Sequence, residues 1–159
     1  MLFSFNNKGQ TLIEALIALG AAVVIIAAIA VVVITSISSS DFSKNQNLAT
    51  QYAQQGIDII RSQSESNWTS FQTKAGTFCL GKGITDLGTP VTNCAAPNID
   101  NFFVREVVIT QASASCGGNA KVVVDVSWTS GKCTSAANLY CHSVLLDTCL
   151  ANINSVLAP

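Results

Sequence analysis

The apolar residues of this chain fall into three regimes. From Ala15 to Ile34, twenty consecutive residues carry no charge, and nearly all are Ala, Val, Ile or Leu. At 1.5 Å per residue this is ~30 Å of helix, the thickness of a bilayer core. The second regime, Asp41 to Arg61, is mixed in polarity but helical in period. Leu48, Tyr52, Gln55 and Ile59 recur every three or four residues, with Ala49, Ala53, Ile57 and Ile60 beside them. No Pro interrupts this stretch, and Gly56 is its one strong helix disfavourer. The pattern predicts a single helix from Thr11 to about Arg61, ~75 Å long, half membrane anchor and half spine packed under a head. Asp58 and Arg61, three apart, are placed to pair on its surface.

Residues 62–70 are polar and are expected to end the helix. Thr77 to Asn101 combines Gly, Asn and Asp with two of the three prolines, which predicts a long irregular loop. The third regime alternates with period two. Phe102 to Gln111, Lys121 to Trp128 and Leu139 to Asp147 read as strands; in the second, Val122, Val124, Val126 and Trp128 share one face while Lys121, Asp125 and Ser127 take the other. Ala112 to Ala120, with Gly117-Gly118-Asn119, turns the first strand into the second. The expectation is an α+β protein whose small antiparallel β-sheet head lies on the helical spine. Its segments are 10–36 (membrane helix), 37–61 (amphipathic continuation) and 62–159 (β-rich head).

Cysteine usage adds covalent restraint to this picture. All six cysteines lie between Cys79 and Cys149, at separations of 15, 22, 17, 8 and 8 residues. No Cys-x-x-Cys or paired Cys/His motif occurs, so a disulfide framework outside the cytoplasm is favoured over a metal site. In an up-down-up meander, Cys116 and Cys149 fall at one end of the sheet and Cys133 and Cys141 at the other. That leaves Cys79 and Cys94 to close the long loop. A bridge needs Cα atoms within ~7 Å, which excludes pairs at opposite ends. The expected pairs are Cys79–Cys94, Cys116–Cys149 and Cys133–Cys141.

Charge changes the picture less. Charged residues make up 11% of the chain and the formal net charge is −1. That is far below the usual quarter. No basic patch appears, so no nucleic-acid contact is expected.

Glu14 is the anomaly, because a carboxylate within a membrane helix costs ~3 kcal/mol near the centre and less near an end. It stands in Lys8-Gly9-Gln10-Thr11-Leu12-Ile13-Glu14-Ala15. A basic residue, Gly, a Thr-Leu-Ile-Glu run and an uncharged 20-mer in this order resemble the prepilin cleavage and methylation motif of the type IV pilin and pseudopilin family. The resemblance covers about residues 8 to 61. It implies that residues 1–9 are a leader cut after Gly9 by a prepilin peptidase, with methylation of the new N-terminus at Gln10. It also implies that the mature chain passes through an inner-membrane assembly platform into a filament of other pilin subunits packed through their N-terminal helices. Glu14 becomes the fifth mature residue. The resemblance implies that it faces the Gln10 amine of a neighbour, since a paired buried charge is tolerated where an unpaired one is costly. That amine, with a reference pKa of about 7.7–8.0, is mostly cationic near neutrality.

This chain departs from the family pattern at two points. Gln10 stands where Phe is usual, and no Pro precedes Pro90. The second departure implies a straighter helix and points to a minor pilin.

The implied function is a structural subunit of a type IV pilus-like surface filament serving adhesion, motility or DNA uptake. The chain would be single-pass in the membrane before assembly, head outside, and afterwards part of an extracellular pilus. A pseudopilin of a type II secretion system, in a periplasm-spanning pseudopilus, shares the same helix and motif. A monomeric membrane-anchored extracellular binding domain would instead keep residues 1–9. Catalysis is not expected. His142 is the only histidine, and adjacent Cys141 and His142 point to opposite faces of a strand. Asp86, Asn93, Asp100 and Asn101 show no regular calcium-ligand spacing. No cofactor or metal is expected.

Overall fold

The structure, a computed structural model, describes residues 10–94, 96–130, 133 and 140–152. The expected leader and the cleavage residue Gly9 lie outside the described residues. Helix α1 runs Gln10–Ser66, five residues beyond its expected end. The polar residues 62–66 continue it because Ser64 and Ser66 return their hydroxyls to the carbonyls of Arg61 and Gln63 within the helix. Ser64 itself is buried on the head side. A short helix, α2 (Trp68–Phe71), follows, capped by the Asn67 side chain, which accepts from the Ser70 N–H at 2.9 Å. Two units are distinguished, Met1–Lys44 and Asn45–Pro159.

In the first unit, large apolar side chains from Leu12 to Ile37 are 49 to 69% exposed. This helix is long and apolar enough to cross a membrane and is a candidate membrane anchor.

In the second unit, the remainder of α1 packs on a four-stranded antiparallel sheet in the order β1-β2-β3-β4. The strands are β1 (Gly76–Cys79), β2 (Phe103–Thr110), β3 (Ala120–Trp128) and β4 (His142–Leu150). Three strands were expected. β1 falls in the sequence assigned to an irregular loop, because its four residues are too few to display alternation. It is held by pairing with β2, Phe78 opposite Val107. The β2–β3 register sets Phe103 against Trp128 and Val107 against Val124, with every second residue inward. Val122, Val124, Val126 and Trp128 are all buried, as their alternation predicts.

The helical stripe that meets the sheet is Ala49, Ala53, Gly56, Ile60 and Ser64. Leu48, Tyr52, Ile57 and Ile59 flank it half-buried, and Gln55 is exposed. The centre of the contact is therefore shifted one row from the Leu48–Ile59 row. Small residues let the helix backbone come closest to the sheet, and the larger ones fill the sides. At Gly56 the approach is tightest: a Cβ there would lie 2.9 Å from Val124 Cγ1 and 3.4 Å from Arg105 Cδ. Val124 is stiff and fully buried. Gly56→Ala therefore lowers the stability of the head by ~1–3 kcal/mol through overpacking, although Ala favours an isolated helix by ~1 kcal/mol. Gly20→Ala, where nothing lies within 4 Å, leaves the head unaffected. Denaturant unfolding of the two full-length variants in detergent decides it: a Gly56→Ala midpoint at or above that of the unsubstituted chain refutes the close seating.

Candidate functional site

Two regions carry the residues singled out by sequence. The first is the start of α1. Gln10 opens the helix. Glu14 shares an open groove with Ile13, Ile17, Ala18 and Ala21. Glu14, Ile17, Ala18 and Ala21 stand at i, i+3, i+4 and i+7 and so form one helix face. It is a single carboxylate on an otherwise apolar surface, with no cation in contact among the described residues. This arrangement suits recognition by a cationic group carried on an equally apolar partner. It offers no second acid or base for proton transfer.

The second region is the head. Its three bridges are Cys79–Cys94, Cys116–Cys149 and Cys133–Cys141, with Cα atoms 5.5 to 5.6 Å apart. These are the expected pairs, the last two from strand direction and Cys79–Cys94 as the pair left over. Cys116 ends the 3-10 turn Ala114–Cys116 between β2 and β3, and Cys149 lies opposite Lys121 near the end of β4. This bridge therefore ties that turn to the last strand.

His142 starts β4. Its Nε2 is 2.9 Å from Ser130 Oγ, and its ring sits 5.6 Å from that of Trp128. The sulfurs of Cys133 and Cys141 lie within 4.8 Å of its ring nitrogen and of each other, but they are joined to one another. A disulfide sulfur is neither a nucleophile nor a thiolate ligand.

Sequence reasoning missed the polar centre of the head. Arg105 is 1% exposed. It shares the inward face of β2 with Phe103, Val107 and Ile109, and that alternation was the signal that placed it inside. Among the described residues its guanidinium has no carboxylate partner. Nε donates to Leu80 O at 2.8 Å, Nη1 to Tyr52 O at 2.9 Å and Nη2 to Gly81 O at 2.7 Å. One fork thus joins the spine to the loop after β1. Burial lowers the guanidinium pKa. Asn98 completes the join by exchanging side-chain bonds with the backbone of Arg105, Nδ2 to O at 2.9 Å and N to Oδ1 at 2.8 Å.

Asp100 sits outside this centre. It accepts from Tyr52 Oη at 2.7 Å and from Lys82 Nζ at 2.6 Å. The Lys82 bond, then the Tyr52 bond, hold its carboxyl below the ordinary aspartate value. Asp100 and Asn101 both take left-handed backbone, φ 50° and 54°, which these two residue types tolerate. Asp100 thus pins a turn through both of its carboxylate oxygens.

On the outer face of the sheet, Asp125 stands opposite Glu106 and Leu145. Burial raises its carboxyl pKa above the usual range, the Ser143 hydrogen bond opposes this, and the Glu106 charge adds to it. On the spine, Asp58 and Arg61 stand 3.9 Å apart, both largely exposed. Such a pair contributes little to stability.

No protein-family model, curated protein or solved structure matches this chain.

Proposed function

We propose that this chain is a structural subunit, of the minor-pilin kind, of a type IV pilus-like surface filament. In this reading it is cut between Gly9 and Gln10 and assembled through its N-terminal helix. The observation that carries the reading is the helix face from Leu12 to Ile37: apolar, exposed and interrupted near its start by Glu14 alone. Such a surface is stable only in lipid or against like surfaces. A helix that merely anchors a head has no use for a carboxylate at that depth. A filament of packed helices does, because the α-amine freed at Gln10 would neutralise it. The disulfide-bridged head agrees with an oxidising location outside the cytoplasm. The role assigned to the rest of the chain is to present that head on the filament surface.

The test is the intact mass and N-terminal peptide of the protein from a membrane or surface fraction. The expected product begins at Gln10, with or without a methyl group. Gly9→Ala is expected to leave the full-length precursor in the membrane. A native chain that begins at Met1 removes the filament reading and leaves a plain membrane-anchored binding domain. One that begins beyond Ile34 makes the apolar run a cleaved secretion signal.

A further inference from the structure

A cleft of about 550 Å³ opens in the head between α2, the β2–β3 turn and the end of β4. That volume lies within the range of small-molecule sites. Trp68 and Gln72 come from α2 and the residue that caps it. Gln111 and Asn119 come from the two ends of the turn. Between them, among the described residues, the lining is Ala112, Gly118, Ala120, Ala151 and Asn152, small side chains but for the last. Not one ionisable side chain lines it among the described residues.

The polar groups of this cleft are fixed before any ligand arrives. Gln111 Nε2 donates to Phe71 O at 3.0 Å and to Lys74 O at 2.7 Å. Asn119 Nδ2 donates to Cys116 O at 3.1 Å. Both amides thus have their N–H groups turned to the backbone, which leaves Gln111 Oε1 and Asn119 Oδ1 as acceptors without a hydrogen bond among the described residues. Gln72 is exposed and adds an amide with both functions. The Cys116–Cys149 bridge holds the turn against β4, so the walls do not drift apart. Trp68, half-buried beside Phe71 with ring centres 5.5 Å apart, gives one wall an indole.

We propose that this cleft is a binding site for a neutral saccharide. A pyranose carries hydroxyl donors around its rim and C–H bonds on its faces. The hydroxyls match fixed amide oxygens, and the C–H faces match the negative face of an aromatic ring. Among the described lining residues an anionic ligand finds no cation, and a cationic one no carboxylate. The inference rests on the head alone and holds whether or not the chain assembles into filaments.

The experiment is saturation-transfer NMR on the full chain, in a detergent without a sugar headgroup. The probes are the methyl glycosides of glucose, galactose, mannose and N-acetylglucosamine, each at about 10 mM. At least one is expected to bind, with Kd on the order of 1 mM, as befits a single small ring. Ala151→Arg, at an exposed position, fills the cleft and is expected to abolish the signal. Gln72→Ala, also exposed, is expected to weaken binding by about three- to tenfold. Circular dichroism should show both variants folded. Absence of transfer to all four probes overturns the proposal. So does a signal that neither variant changes, or one confined to methyl glucuronide as an added anionic probe.

Discussion

Arg105→Met lowers the stability of the head by about 3–5 kcal/mol, the scale of a broken buried polar network. The substitution preserves much of the side-chain volume, so a cavity is not the cause. It leaves the carbonyls of Tyr52, Leu80 and Gly81 buried without the donors that reach them now. Each such loss costs about 1–3 kcal/mol, offset in part because a desolvated charge is removed as well. Arg105→Lys recovers only part of the loss: an ammonium is a point donor and does not reproduce a planar fork aimed at three carbonyls. Chemical unfolding of the full chain in detergent, with the disulfides intact and followed by near-UV circular dichroism, reads both values. If Arg105→Met unfolds within about 1 kcal/mol of the unsubstituted chain, the fork does not join spine to loop.

On the filament reading, Glu14→Ala leaves membrane insertion intact and removes the chain from filaments. Insertion depends on the apolar run, which is unchanged and even relieved of a carboxylate. On the filament reading, assembly depends on the Glu14 charge, because without it a neighbour's α-amine is buried alone. Removing one partner of a buried pair costs about 3–5 kcal/mol, a factor of roughly 10² to 10³ or more in subunit addition. Glu14→Gln should fail too, since it restores shape but not charge. The measurement is the ratio of variant in sheared filaments to variant in membranes. A Glu14→Ala ratio equal to that of the unsubstituted chain eliminates the pairing role without touching the assignment of the cleavage point.

Much of the fold was legible because long elements repeat their signal. Twenty uncharged residues and four inward positions of β3 each announce themselves many times over. Two disulfide pairs followed from strand direction, since only cysteines at the same end of a meander come within reach, and the third was what remained. What was not legible depends on contacts far apart in sequence. β1 is recognisable only through its partner strand. The alternation of β2 puts Arg105 on the inward face, but what satisfies it there could not be read, because the carbonyls it reaches lie 24 to 53 residues away. Gly56 was read as a weak point of the helix, and its purpose appears only when Val124 is set against it. The candidate cleft shares that character: its walls are contributed by segments from Trp68 to Asn152, and none of them carries a motif. Glu14 differs. Its oddity is local, so the sequence exposed it at once, but its partner would belong to another molecule.

The three disulfides all join residues between Cys79 and Cys149, and none of them includes α1. Mechanical tension applied through the helix would therefore pass to the sheet across side-chain packing and the Arg105 fork, with no covalent link other than the main chain after Ser66. Pulled hard, the seam between spine and sheet would part before the bridged loops give way. While the seam is open, the Cys116–Cys149 bridge would still hold the turn between β2 and β3 to β4.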